Sequence, residues 1–378
     1  MRHLWRPDDR ASSRYHYVPI PGSEFRVELD YDRSAGVIDL GLFDAAGRFH
    51  GYSGGARDSF TVTSDWATPG YLPGPVDGAV LFLGLHRIPP SGLLCSLSVG
   101  APVVEPTPPA PPVPPRPPRR ADVPEGWHVG DLHAHTVHSD GVLTVDELAA
   151  LAVSAGLDFL AVTDHNTVSH HALLGPASRR YGVTLIPGQE VTTDLGHANA
   201  FGDIGWVDFR RPPDMWAPTG LLSINHPLAA DYAWRHPLRT RPALAEIWHS
   251  GWWDRTWSAP LAWLLAWSRD TVPIGGSDFH RPSDDRLGHP TTWVRAESPS
   301  GPDILAGLEA GRTAISESPD GPLLLRSDDG LLALGADGLL LTDFTGQRRP
   351  VRGDRFEARA PDGVAWLEDH RTQVMAIG

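Results

Sequence analysis

The sequence predicts an α/β protein in which alternating strands and helices form a barrel or a parallel sheet. Five short apolar runs, each typical of a buried strand, end in histidine, aspartate or glutamate. Segments with helical start and stop signals separate the first three runs. In an α/β barrel the residues just past such strands line the active site, so the chemistry is expected there. The runs and their polar ends cover 131–135, 160–166, 185–190, 221–227 and 273–280.

Two further regions precede this core. Residues 1–100 contain short apolar or alternating runs separated by Gly, Pro, Asp and Ser turns, which predicts a β-sandwich. Residues 101–124 are rich in proline, which predicts an extended polyproline II linker that acts as a semi-rigid spacer. The linker therefore marks a domain boundary.

The predicted barrel spans 125–318. A capping box from Thr144 to Glu147 opens a helix that ends at Ala155, before Gly156. The last region, 319–378, reads as a small β-rich extension. The remaining predicted elements are strands at 127–133, 159–163, 183–190 and 313–316, and helices at 170–181, 256–268 and 302–310.

The amino-acid composition excludes several classes of function. The formal net charge is −14 and all 32 basic residues are arginine, so an acidic surface argues against stable binding to nucleic acid or membranes. The absence of lysine excludes a P-loop nucleotide site and a Schiff-base mechanism. The single cysteine, Cys95, lies in an apolar run and is expected to be a buried thiol. No signal peptide is recognisable at the N-terminus, and we expect a cytoplasmic protein.

Nine ligand-type side chains lie at or just beyond the predicted strand ends. His133 and His135 are two apart on a strand, so both side chains point to one face and can hold one ion. Nine ligands exceed the needs of one metal, so two or three divalent ions are expected. The nine are His133, His135, Asp140, His165, Glu190, His197, His226, Asp278 and His280.

The combination of these motifs resembles the PHP (polymerase and histidinol phosphatase) metallohydrolases. The Ser-Asp-Gly and Thr-Asp-His-Asn forms, with the β-rich N-terminal region, are similar to the branch that includes carbaryl hydrolase. The matching segments are 133–136, 139–141, 163–166, 187–190, 196–197, 225–227 and 276–280.

The resemblance implies a distorted (β/α)7 barrel with a di- or trinuclear centre of Mn, Fe or Zn. Glu190 would bridge two ions, because a carboxylate can do so and a neutral imidazole cannot. The implied ligand sets are His133, His135, Glu190 and Asp278; Glu190, His197 and His226; and Asp140, His165 and His280.

Residues for substrate binding are less clearly marked. His249 is a candidate to protonate a leaving group or contact phosphate, although it also fits an ordinary strand end. Arg281 directly follows His280 and is the first candidate to bind a substrate oxyanion. The further arginine candidates are Arg235, Arg239, Arg241 and Arg286.

Several other polar and aromatic residues lie near the motifs. Asp164 either orients an imidazole or is solvated at a strand end. His138, His170 and His171 are expected to be solvated. The tryptophans at 253, 257, 263 and 267 are expected in the core or an interface, with one or two as alternative walls of the pocket.

Three functions remain open at this stage. The first is hydrolysis of a phosphomonoester or phosphodiester of a small molecule by a metal-bridging hydroxide. The alternative is hydrolysis of a carboxylic ester, amide or carbamate by the same centre. The third is a binding module with an inert barrel, which the complete ligand set disfavours. Cationic groups in the pocket would favour phosphate, whereas an apolar pocket would favour an aryl carbamate.

Overall fold

The computed structural model describes residues 1–216, 220–237, 241–268, 270–284, 286–327 and 330–378. These residues form a mixed α/β structure with one large sheet, several smaller sheets and few helices. Arg239 lies outside the described residues. None of the described helices combines the length and the apolar composition that a membrane span needs.

Two four-stranded antiparallel sheets form the N-terminal part and share one hydrophobic core. Their strand orders are β1-β8-β3-β6 and β2-β7-β4-β5. Alternate residues of β3, including Phe25 and Val27, face Leu40 and Leu83 of the other sheet's strands in this core. The elements are β1 (Arg2–Trp5), α1 (Pro7–Ser12), β2 (Tyr15–Pro19), β3 (Phe25–Tyr31), β4 (Val37–Phe43), β5 (Phe49–Gly54), β6 (Ser59–Val62), β7 (Val80–Arg87) and β8 (Leu93–Gly100).

The proline-rich segment 101–124 has no regular secondary structure and lies against the following part of the chain. Arg116 donates hydrogen bonds to the carbonyl oxygens of Leu157 and Gly182. The Tyr181 hydroxyl donates to the carbonyl oxygen of Pro111. The linker is therefore held at several points along its length.

Seven consecutive strands form the row that carries the predicted ligands. Strands β9, β10 and β11 are parallel, β12 is antiparallel to both neighbours, and β13, β14 and β15 are parallel again. A parallel bridge joins Ala134 to Phe279, just past the ends of β9 and β15, so the two ends of the row meet. The strands are β9 (Trp127–Asp131), β10 (Phe159–Val162), β11 (Thr184–Thr193), β12 (Gly196–Phe201), β13 (Leu221–Ile224), β14 (Leu244–His249) and β15 (Val272–Gly276).

The helices beside this row follow the predicted signals. Thr144 caps α2 and forms a capping box with Glu147. Gly182 ends α3 in the left-handed conformation that glycine adopts without a steric penalty. Ser300 caps α5 through the backbone amide of Asp303. The helices are α2 (Val145–Ser154), α3 (His171–Tyr181), α4 (Ala259–Trp267) and α5 (Gly301–Glu309), with short 3₁₀ turns at Pro213–Met215 and Ala230–Tyr232.

The C-terminal strands extend the large sheet. Ile377 pairs with Ile315, so the last strand continues the sheet beyond β16 and β17. Three other strands, β18, β19 and β22, form a separate small sheet. The bounds are β16 (Thr291–Arg295), β17 (Thr313–Ser316), β18 (Leu323–Ser327), β19 (Gly330–Leu334), β20 (Leu340–Asp343), β21 (Arg348–Pro350), β22 (Arg355–Ala358), β23 (Ala365–Glu368) and β24 (Val374–Ile377).

An aromatic cluster joins the N-terminal sheets to the seven-strand row. Phe43 and Phe82 from the N-terminal part share one buried cluster with Val191 and Phe209. At its edge the Phe49 ring stacks on Trp206, with centroids 4.4 Å apart and planes 7° apart. Because buried side chains from both parts interdigitate, their relative position is set by packing.

Candidate metal centre

The structure brings all nine predicted ligands together beside the carboxyl ends of the strand row. Most of them follow β9, β10, β13 and β15 or lie near the end of β11. The expectation that every ligand ends a strand is wrong for His197, which begins β12. The start of β12 nevertheless lies beside the end of β11, because these strands are antiparallel and Thr192 pairs with His197. Sequence spacing alone did not reveal this hairpin.

Within the described residues, three groups place one potential ligand atom per residue within 4.8 Å of one another. The first group matches one implied ligand set, and the other two overlap the remaining sets. The groups are adjacent because His135, His165 and Glu190 each belong to two of them. They are His133, His135, Glu190 and Asp278; His135, Asp140, His165 and His280; and His165, Glu190 and His197.

Glu190 lies at the centre and is fully buried. Its Oε1 lies 3.3 Å from His133 Nε2, 3.2 Å from His197 Nδ1 and 3.3 Å from His226 Nε2. The Asn225 side-chain amide donates to the same oxygen at 2.8 Å. One carboxylate thus faces three imidazoles from three different parts of the chain. Its contact with His226 places that residue beside the group of His165, Glu190 and His197.

The donor atoms fit divalent cations. His133 Nε2 lies 3.1 Å from Asp278 Oδ1, yet in the described part of the chain it makes no hydrogen bond, and neither does Glu190 Oε2. Buried polar atoms are rarely left in this way, and atoms that converge on a common point are arranged as metal ligands. Nitrogen and carboxylate oxygen donors without sulfur suit Mn, Fe or Zn.

The electrostatics of the cluster also favour cations. Burial raises the pKa of Glu190, but His165, His133 and His197 outweigh it and hold that pKa well below the ordinary value. Burial likewise opposes a charge on His165, but Asp140 and Glu190 overcome it and raise its pKa to about 10. The carboxylates thus attract positive charge, which protons supply in the absence of metal. Metal binding would displace these protons.

The group around Asp140 is more open than the rest. Asp140 Oδ1 lies 3.5 Å from His165 Nε2 and 3.3 Å from His280 Nε2. Burial opposes its charge, but these histidines and His135 lower the pKa of Asp140. The side chain of Asp140 is 44% exposed, whereas that of Glu190 is 1% exposed. A ligand held here would therefore face the solvent side of the cluster.

Backbone strain is concentrated at the same place. Asn166, His226 and Asp278 are non-glycine residues with φ of 53°, 29° and 53°. Such conformations cost free energy and persist where surrounding contacts fix them, often at functional sites. Two of the three are predicted ligands.

Glu246 is a supporting residue that sequence reasoning missed. It is buried, its Oε1 lies 2.9 Å from His133 Nδ1, and its Oε2 accepts a hydrogen bond from the His226 amide at 3.0 Å. The first contact places the His133 proton on Nδ1 and leaves Nε2 free to bind a cation. Gly276 permits this approach, because a Cβ there would lie 2.2 Å from Glu246 Oε1. A glutamate inside an apolar strand was the available signal.

Asp131 was also missed as a structural residue, although it begins the first motif. It is fully buried and accepts hydrogen bonds from the backbone amides of His133, Ser277 and Gly288, at 3.2, 3.0 and 2.8 Å. These bonds tie the segment after β9 to the segment after β15. Asp131 therefore holds ligands of two different segments in register.

Asp164 is buried rather than solvated. Its carboxylate accepts hydrogen bonds from the hydroxyls of Thr136 and Ser139 at 2.7 and 2.6 Å, and lies 3.2 Å from His170 Nδ1. Its carboxylate organises the loop after His135, and its carbonyl oxygen accepts a hydrogen bond from the Glu190 amide at 3.3 Å. The Asp164 side chain therefore stabilises this loop.

The expectation that His138, His170 and His171 are solvated is wrong. His138 and His170 are buried, and His171 is largely buried. His138 bonds with the Ser169 hydroxyl at 2.7 Å, and both other rings contact the Gly188 carbonyl. Burial, the largest cause, lowers the pKa of His138 to about 3. These histidines are neutral packing residues, a role that the sequence pattern did not distinguish.

Among the substrate candidates, His249 is closest to the cluster. Its Nε2 lies 3.1 Å from Asp278 Oδ2, and its Nδ1 accepts the Gly251 amide hydrogen at 2.9 Å. This arrangement keeps the proton on Nε2, the atom that faces the centre. Arg281 lies 3.4 Å from Asp284 and is not among the cleft-lining residues, so its substrate role stays a prediction.

The other candidates are placed differently. Arg235 lines the cleft, and Arg241 lies over the Trp267 ring, 4.8 Å from its centroid. Arg286 is exposed. Trp253 and Trp257 are 83% and 52% exposed, so neither lies in the core, and an interface position for them stays a prediction.

The expectation for the remaining two tryptophans holds. Trp263 and Trp267 stack with centroids 4.9 Å apart and pack against a buried cluster. No tryptophan lines the part of the cleft that the described residues form.

A cleft of about 930 Å³ opens onto the centre. Asp140, His165 and Asp278 are among its lining residues, together with His249. Its volume is in the range of sites that enclose small molecules.

Comparison with known proteins agrees with the motif reading. Residues 131–228 match the PHP domain model. The chain is 39% identical over 64 residues to a 5'-3' exoribonuclease of Haemophilus influenzae, covering 17% of this chain and 23% of that protein. It is 43% identical over 65 residues to the 5'-3' exoribonuclease Rnm of Escherichia coli, covering 17% and 22%. The chain thus spans less than a quarter of the length of these curated relatives.

Solved structures show only distant likeness. One is a two-domain protein containing a predicted PHP-like metal-dependent phosphoesterase from Bacteroides vulgatus, at 18% identity and a TM-score of 0.44, covering 70% of this chain and 90% of that one. Another is an amidohydrolase from Chromobacterium violaceum, at 18% identity and a TM-score of 0.33, covering 50% and 97%. The domain match covers residues 131–228, about a quarter of the chain, and this segment includes seven of the nine clustered ligands.

Proposed function

We propose that this protein is a metal-dependent phosphoesterase that hydrolyses a phosphomonoester or phosphodiester of a small molecule. The observation that carries the proposal is the lining of the cleft. Arg14, Arg87 and Arg235 line it together with the predicted metal ligands, and no tryptophan does so in the described residues. Guanidinium groups suit phosphate oxyanions, and the aromatic side chains of Tyr15, Tyr52 and Phe209 in the same lining are what the carbamate alternative would use.

The roles of the chain's own groups follow from their positions. His133, His135, Glu190 and Asp278 would hold one divalent ion, and the neighbouring groups a second and a third. Bound ions would supply an activated water and stabilise the charge of the departing oxygen. His249 holds a proton on Nε2 at the edge of the centre and is the proposed donor to the leaving group.

The domain match and the exoribonuclease relatives support phosphoester chemistry, since their name denotes cleavage of RNA. We further propose that 125–318 is a distorted (β/α)7 barrel, that 1–100 is a separate sandwich domain, and that the protein is cytoplasmic. The net charge of −14 disfavours a stable complex with nucleic acid.

The test compares one nitrophenyl series on protein loaded with manganese: phosphate monoester, phosphodiester, acetate and methylcarbamate. Turnover confined to the phosphate esters is expected, because the cleft presents cationic side chains. The Asp278→Ala variant should lose this turnover, since Asp278 contacts both His133 and His135.

Turnover confined to acetate or carbamate would reject the phosphoesterase proposal and favour the ester and amide alternative. Turnover that persists in Asp278→Ala would show that a different part of the protein, or a contaminant, is responsible.

A further inference from the structure

The N-terminal sheets form one wall of the cleft over the metal centre. Arg14, Tyr52 and Arg87 are among the lining residues from these sheets, and the segment 53–56 contributes as well. The other lining residues come from the seven-strand row and its loops, including Arg235 in the loop after β13. The cleft therefore lies between the two parts.

Buried contacts fix this wall in place. The Thr167 hydroxyl donates to the Gly70 carbonyl at 2.9 Å, and the Gly70 amide donates to His138 Nδ1 at 3.3 Å. Arg57 donates to the Val137 carbonyl at 2.6 Å. These bonds join the N-terminal sheets to the loops that follow His135 and His165. The aromatic cluster around Phe82 adds a shared core to the same junction.

The arginines of the wall differ in their partners. Arg14 forms an ion pair with Asp194 and lies 4.0 Å from Asp39. Arg87 ends β7 and is exposed, and no carboxylate of the described residues lies within ion-pair distance of it. The pKa of the neighbouring His86 is lowered. Burial is the largest cause, followed by the positive charges of Arg14, Arg10 and Arg87. Asp39 and Asp194 line the same part of the cleft and lie beside Arg14, so Arg87 is the guanidinium of this wall that is not paired with a carboxylate of the described residues.

We propose that Arg87 binds a second anionic group of the substrate, remote from the ester bond that is cleaved. The inference rests on the proposed phosphoesterase function and adds a substrate class: small molecules that carry two separated anionic groups. A planar guanidinium can accept either phosphate or carboxylate through paired hydrogen bonds. The N-terminal sheets would then determine specificity while the PHP domain supplies the metal ligands.

The test uses alkyl phosphates with three to six carbons and three kinds of far end: methyl, carboxylate and phosphate. Release of inorganic phosphate gives kcat/KM for each. At one chain length the anionic far end should raise kcat/KM about tenfold over methyl, as expected for one charge-assisted contact. Arg87→Gln should bring that ratio close to one, mainly through KM. Arg2→Gln is the matched control, because Arg2 is exposed on β1 of the other sheet.

Comparison of the two anionic ends identifies which group is recognised. A ratio near one for every anionic substrate in the unaltered protein, or an unchanged ratio in Arg87→Gln, would overturn the inference while leaving the phosphoesterase proposal standing.

A binding arm separates the two proposals. Calorimetry on manganese-loaded protein compares alkyl phosphonates with the bisphosphonates of the same length. An Arg87-dependent preference for the bisphosphonate, without turnover of any phosphate ester, would support the inference on the cleft and reject the proposed reaction. Equal affinity for the phosphonate and the bisphosphonate would contradict the role proposed for Arg87.

Discussion

Glutamine in place of Glu190 is expected to remove most of the metal and at least about 1,000-fold of kcat/KM, because the carboxylate charge would supply much of the stabilisation of bound cations. The amide keeps the shape of the side chain and can still accept the Asn225 hydrogen bond. It cannot offset the positive charge of the imidazoles, nor bridge two cations. Metal content by mass spectrometry and steady-state hydrolysis would be measured on the same preparation.

The matched control for Glu190→Gln is Glu357→Gln, on the exposed strand β22. Its side chain is 72% exposed and forms an ion pair with the surface residue Arg355. This control should keep the metal content and the rate. Full metal content and a rate within threefold of the unaltered protein in Glu190→Gln would contradict the central position assigned to Glu190.

Glutamine in place of Glu246 is expected to weaken metal binding by about 10- to 100-fold, the effect typical of groups that orient a ligand. Glu246 accepts hydrogen bonds from both His133 Nδ1 and the His226 amide. A glutamine has one acceptor oxygen, so its amide group must face one of these donors. Competition with a fluorescent chelator would measure the affinity, and Glu246→Ala should lose more than Glu246→Gln.

Glu309→Gln, at the exposed end of α5, controls for the loss of charge alone. Thermal unfolding of the chelated proteins would show whether the fold survives each change. An unchanged metal affinity in a folded Glu246→Gln variant would mean that His133 is oriented by other contacts.

The clustering of most of the nine predicted ligands was predictable because their side chains follow short apolar strands, and strand ends converge in an α/β sheet. His133 and His135 were expected two apart on a strand, but β9 ends at Asp131 and both residues lie in the segment beyond it. The helix from Val145 to Ser154 was predictable from its capping box and the glycine beyond its end. In this helix local chemistry and the final structure agree.

Other features depend on distant parts of the chain. Nothing local indicates that Glu246 meets His133, since 113 residues separate them. The burial of His138 results from packing against Ser169 and the N-terminal loop at Gly70. Likewise the short apolar runs before residue 100 predicted a sandwich, but not that Arg87 would line the cleft. Tertiary contacts decide these cases, and periodicity carries no information about them.

Removal and return of metal test the central claim most directly. The protein would be stripped with a chelator, its metal content measured, and hydrolysis of nitrophenyl phosphate followed during titration with manganese, iron or zinc. We expect the stripped protein to be inactive and the rate to return saturably as two or more ions bind per chain. A stripped protein that is free of metal yet hydrolyses the ester at the original rate would contradict a metal-dependent centre built on Glu190 and its neighbours.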